Sequence, residues 1–164
     1  MANFTAKDVN ELRKSTGVGM MDCKKALTEA DGDVEKAIEL LREKGLATQA
    51  KKAGRVAAEG MVVAKVNADN SVGCVVEVNS ETDFVAKSDP FIELTNTIAD
   101  TVLNQDLACV NCAKEATAEL FTDATVKLGE KLDLRRIEVV NKEDSDIFGQ
   151  YVHMKGKISV LVQL

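Results

Sequence analysis

The sequence predicts an α+β protein. Residues 1–54 carry helical spacing with recognisable caps. After Gly60 the apolar period changes from helical to extended, and helical spacing returns once Pro90 has passed. Three short helices should therefore be followed by a small antiparallel sheet packed with helices, in the order β-β-α-α-β over Gly60–Val140, and then by a second hairpin.

The first helix has its signals in the sequence. Thr5 can cap it, Asp8 stands three residues on in an approximate capping box, and Phe4 and Val9 occupy the positions of a hydrophobic staple. Gly17 ends it. The second helix starts near Met20 and is expected to bury Cys23, Ala26, Leu27 and Ala30. Asp33 caps the third, where Val34, Ala37, Ile38 and Leu41 fall at i, i+3, i+4 and i+7, and Gly45 is expected to supply the left-handed residue at its end. Helices this short depend on one another to fold. The stretch "LATQAKKAGRVAAE" (Leu46–Glu59) has only a narrow apolar stripe. It reads as a helical or partly ordered linker that sets the spacing of the parts on either side, and the domain boundary is placed there.

Met61–Val66 and Val72–Val78 are β-rich and joined by "NADNS", a hairpin turn by composition. Pro90 precedes a helix in which Phe91, Leu94, Ile98 and Val102 keep helical spacing. A second helix is expected over Glu115–Leu128, after which "LDLRRIEVV" returns as a strand. At the end of the chain "KISVLVQL" (Lys157–Leu164) matches "SVGCVVEV" (Ser71–Val78) in length and apolar placement. Each is preceded by a β-like stretch after a glycine, Gly149 and Gly60, so the last hairpin reads as a second copy of the first. The copy stops before any covering helix, which predicts an uncovered apolar hairpin prone to self-association, and a truncated second repeat. The expected domains are 1–54, 55–140 and 141–164.

Composition narrows the function. The chain is 45% hydrophobic, enough to form a core of ordinary size. Against 21 Lys and Arg stand 27 Asp and Glu, a net charge of -6 with no polybasic block, so a broad phosphate-binding face and direct nucleic-acid binding are disfavoured. Charge is unevenly shared: residues 1–55 hold 11 basic and 9 acidic side chains, the remainder 10 and 18. No apolar run approaches the roughly 18–20 residues that span a bilayer, and no membrane role is expected. The four cysteines, Cys23, Cys74, Cys109 and Cys112, read as free thiols in a reducing compartment.

Catalytic and metal chemistry find little support. Cys109 and Cys112 form a CxxC, but there is no second CxxC and a single histidine, His153, so the pair reads as two buried or half-exposed thiols near a helix end. His153 lies in a strand without an evident Ser or Cys partner. No GxxxxGKS/T phosphate loop is present. No catalytic residue, metal site or cofactor is expected.

Two stretches carry more. In "TGVGMMDCKKAL" the adjacent Met20 and Met21 point about 100° apart on a helix, which a narrow core stripe cannot easily accommodate. Either both fill the three-helix core, or one lies exposed as an adaptable contact. Lys24 and Lys25 follow, either solvating the surface or meeting a partner. In "EVNSETDFVAKSDPF" (Glu77–Phe91), one reading has Ser80 or Thr82 capping a helical turn, Asp83 at its positive end and Phe84 folded back on the sheet. The other has Phe84 projecting from a rigid strand-to-helix corner, Asp83 beside it, as a wedge presented to another protein.

"LRKSTGVGMMDCKKAL" (Leu12–Leu27) and "EVNSETDFVAK" (Glu77–Lys87) resemble the two sequence motifs of elongation factor Ts, the guanine-nucleotide exchange factor of elongation factor Tu, and the resemblance spans essentially the whole chain. It implies that Thr82, Asp83, Phe84 and Val85 approach the nucleotide site of Tu, the aromatic wedging between helices and disturbing a magnesium ion. It also implies that the turn Val18, Gly19, Met20 and Met21 touches the partner's G domain. Common bacterial members complete a second core subdomain and add a coiled-coil excursion, from which this sequence departs. A bacterial cytoplasm or an organellar matrix follows as the expected setting. The first three helices also resemble a ubiquitin-associated domain, with "GDVEKAIELL" as the third, so the alternative is a ubiquitin-type or other helical-groove binding module. That alternative accounts for residues 1–54 and leaves "NSETDFVAK" without a role.

Overall fold

The computed structural model describes residues 3–164. The architecture is α+β and divides into two units, one formed by 1–54 with 122–130, the other by 55–121 with 131–164.

In the first unit, α1 (Ala6–Thr16) begins at a complete capping box. The Thr5 hydroxyl faces the Asp8 N–H, and the Asp8 carboxylate accepts the Thr5 N–H at 2.6 Å. It ends at Gly17, whose φ of 69° is the left-handed cap. Helix α2 (Met20–Glu29) buries Cys23, Ala26 and Leu27, and α3 (Val34–Lys52) starts at Asp33, whose carboxylate accepts the Lys36 N–H. These residues, with Val9, Leu12, Val18, Ala30, Ala37 and Leu41, form one apolar core against which Phe4 and Ile38 pack.

One expected boundary is wrong. Gly45 does not terminate α3, which continues to Lys52. The glycine is buried within the helix because the last helix of the chain's helical stretch, α7 (Ala118–Leu128), lies against it. A β-carbon at Gly45 would stand 2.5 Å from Val126 Cγ2 and 2.9 Å from Thr122 Cγ2. The missing side chain serves a close helix approach instead of a backbone turn.

In the second unit, β1 (Glu59–Val66), β2 (Val72–Ser80) and β3 (Asp133–Asn141) form an antiparallel sheet in that order. Helix α5 (Asp89–Asn104) buries Phe91, Leu94, Ile98, Ala99 and Val102, and covers the sheet face that holds Cys74, Val76 and Val78. Between β2 and β3 there are more helices than the two expected: α4 (Asp83–Ala86), α5, α6 (Val110–Ala116) and α7. The helix expected over Glu115–Leu128 is broken at Thr117, which is buried, caps α6 through its N–H to Ala113 O, and bonds the same carbonyl with its hydroxyl at 2.6 Å. Helix α6 escapes a periodicity search because it buries Ala113 alone.

The final strands β4 (Phe148–His153) and β5 (Ile158–Gln163) pair with each other. The expectation of an uncovered hairpin holds for one face and fails for the other. Val62 N donates to Gly156 O at 2.7 Å and Ser159 Oγ to Val62 O at 2.7 Å, so the hairpin is tied to the open edge of β1 at Val62 while remaining a separate two-stranded sheet. Leu161 then rests on Gly73, where a β-carbon would meet its Cδ2 at 2.6 Å. The opposite face leaves Tyr151, Ile158, Val160 and Val162 exposed.

Candidate functional site

Two exposed places attract the sequence motifs, one in each unit. In the second unit the corner between β2 and α5 is built by local capping. Strand β2 ends at Ser80, which is fully buried and whose hydroxyl donates to Thr82 O at 3.0 Å. Thr82 then caps α4 by accepting the Val85 N–H. Ser88 closes the turn by donating to Val85 O at 2.7 Å, and its own carbonyl accepts the Phe91 and Ile92 N–H groups that open α5. The four residues of α4 are thus held at both ends, and the last of them, Ala86, is buried.

The side chains divide accordingly. Phe84 is 84% exposed, so the reading in which it folds back onto the sheet is incorrect. The capping part of that reading is right, with Thr82 as the cap. Asp83 forms an ion pair with Lys87 one turn on at 2.6 Å, and the Lys87 ammonium holds its carboxyl below the usual value while the lysine is raised in return. An exposed pair of this kind contributes little to stability, and its effect is to set the direction of the Asp83 side chain beside Phe84.

Glu81 was not singled out from the sequence, yet it ties the corner to distant backbone. Its carboxylate accepts the Lys131 N–H at 2.6 Å and lies 3.3 Å from the Arg55 guanidinium, while Lys131 Nζ donates to Arg55 O. The partners lie 50 and 26 residues away, beyond any local pattern; adjacency to Thr82 was the single available hint.

In the first unit the turn between α1 and α2 presents two methionines. Gly19 O accepts the N–H groups of Asp22 and Cys23, starting α2 tightly enough that Met20 and Met21 both face outward, 47% and 65% exposed. Neither fills the core, which corrects the reading that both do and exceeds the one that exposes a single methionine. Val18 goes the other way: its side chain is in the core, and its carbonyl receives the Cys23 thiol, so it offers a partner little more than backbone. Met21 lines a shallow depression with Lys24, Lys25, Thr28 and Glu29. Asp22 is ion-paired with Lys44 of α3.

The remaining candidates stand apart from both places. Cys109 and Cys112 are exposed, not buried or half-exposed as expected, and all four cysteines are free. His153 stacks on Tyr151 at 5.8 Å between ring centroids, its Nδ1 2.9 Å from the phenol oxygen. Among the described residues no group of three or more His, Cys, Asp or Glu is placed to hold a metal, and no helix is long and apolar enough to cross a membrane.

The molecule is thus an α+β protein that holds Phe84, Met20 and Met21 outward, Phe84 on a turn capped by Thr82. The sequence model described as Elongation factor TS matches residues 81–164, from Glu81 of the corner through β5. The match covers just over half of the chain, which belongs to the elongation factor Ts family and so to the factors of translation elongation.

Proposed function

We propose that this chain binds the GTPase elongation factor Tu and accelerates release of its GDP, with Thr82–Val85 directed at the partner's magnesium and phosphate site and Met20 and Met21 gripping its G domain. The observation that supports this most is Phe84, an aromatic side chain kept in water at a corner whose backbone is capped on both sides. Leaving it exposed forgoes about 1.5–3 kcal/mol of burial that the fold could have used.

Exchange of this kind needs no catalytic acid or base. A protein that binds the nucleotide-free shape of its partner more tightly must weaken nucleotide binding by the same factor. A 10⁴-fold effect, taken as an order of magnitude, requires about 5.5 kcal/mol of differential binding, whereas one interface aromatic contributes about 1–3 kcal/mol. Phe84 is therefore one contributor among several, with Asp83 and the two methionines as the others this reading names. A bacterial cytoplasm or an organellar matrix is the compartment that goes with it.

The test is Phe84→Ala assayed two ways. Thermal unfolding should change by less than about 0.5 kcal/mol, because the ring is exposed. Stopped-flow release of a fluorescent guanine nucleotide from Tu should slow by about 5- to 150-fold. Normal release with Phe84 removed refutes the wedge. Titration with ubiquitin separates the other function class: ubiquitin binding through Met20 and Met21 without binding to nucleotide-free Tu overturns the proposal.

A further inference from the structure

We propose that Cys109 and Cys112 form a redox-active dithiol, a modification site that reacts with low-molecular-weight disulfides of the glutathione class and closes to an intramolecular disulfide. Cys109 is the residue before α6 and Cys112 lies in its first turn. Both thiols are exposed, whereas Cys23 and Cys74 are buried, so an incoming disulfide meets this pair alone.

The two positions are not equivalent. The Cys109 thiol is held below its ordinary value, first by the Cys112 N–H, then by the Cys112 thiol and the Asn111 N–H, with Glu115 opposing more weakly. Cys112 is raised, chiefly through hydrogen bonding with the Cys109 thiol. One member is therefore the readier thiolate and the other the retained thiol, which is the division a two-step exchange requires. Burial pushes Cys74 the other way, to about 11.

In the first step the Cys109 thiolate attacks one sulfur of the added disulfide, forming a mixed disulfide. The displaced thiolate leaves with the electron pair and takes a proton from water. Cys112 then loses its proton to solvent and attacks the Cys109 sulfur, expelling the second thiolate. Two cysteine thiols are oxidised to one disulfide, and the reagent is reduced to two thiols.

Incubation of the whole chain with oxidised glutathione should yield a species lighter by two hydrogens, reversed by dithiothreitol. The lost hydrogens should map to the single tryptic peptide holding both cysteines. Cys112→Ser should instead retain one glutathione on Cys109. At neutral pH the exposed Cys109, held below the ordinary thiol value, carries more thiolate than buried Cys74, which burial pushes up to about 11. Iodoacetamide should thus label Cys109 at least about tenfold faster than Cys74. The proposal fails if the wild-type chain keeps glutathione on both positions without closing, if chains become cross-linked to one another, or if the buried cysteines react as fast.

Discussion

At the residue scale, the corner depends on a side chain that never leaves the protein. Glu81 joins the residue before Thr82 to the backbone ahead of β3 and to Arg55, and its carboxylate is mostly shielded, with 20% of the side chain exposed. Removing it takes the acceptor away from a partly buried N–H, which typically costs about 1–3 kcal/mol. Glu81→Ala should therefore lower stability by about that amount and slow nucleotide release from Tu, because Phe84 loses its fixed direction. Glu81→Gln keeps an acceptor for the Lys131 N–H and should recover most of the stability. Chemical denaturation with the release assay on both variants checks this; full release activity in Glu81→Ala at undiminished stability would show that the corner does not depend on this residue. Phe84→Ala, by contrast, should alter release and leave stability alone, so the two substitutions distinguish presentation from contact.

At the element scale, helix α3 shows a propensity rule overridden by packing. Glycine inside a helix costs about 1 kcal/mol relative to alanine, so Gly45→Ala is expected to stabilise an isolated helix. In this fold the added methyl would meet Val126 and Thr122 side chains below 3.0 Å and the Thr122 carbonyl at 3.3 Å. Overpacking of this kind costs about 1–3 kcal/mol, and the backbone carbonyl cannot rotate aside. Gly45→Ala should thus lower the melting temperature by a few degrees. A higher melting temperature would mean that α7 does not hold this position in solution. The same contact explains why α7 is needed by the three N-terminal helices: Val126 packs on their core.

At the scale of the whole molecule, the last hairpin does two things at once. One face is tied to the edge of β1 at Val62 and covers Gly73. The other displays Ile158, Val160 and Val162 at alternate positions of β5, with Tyr151 paired opposite Val160. Apolar alternation on an open face favours association, so light scattering should report a mass that rises with protein concentration. Val160→Lys should return the chain to a monomer with little change in stability, because Val160 is already solvated. A strict monomer at every concentration, with Ile158–Val162 amides strongly protected from exchange, would mean this face is covered in a way the exposed side chains do not indicate.

What the sequence determined by itself was local. The capping box at Thr5 and Asp8, the left-handed Gly17, the Asp33 cap, the strand pair around "NADNS" and the helix after Pro90 all depend on residues within a few positions of one another, and each stands where its neighbours put it. The stretch Thr82–Val85 was equally legible, since its cap is local too. Tertiary structure decided what depends on distant partners. Gly45 looked like a helix end because its role is set by Thr122 and Val126, and Glu81 went unremarked because its partners lie across the chain. The sequence left Phe84 open between a buried and a projecting reading, allowed at most one exposed methionine and expected the CxxC thiols buried or half-exposed, and the structure turns all of them outward. Exposure is settled by what the rest of the chain leaves uncovered, and no window of neighbouring residues contains that information.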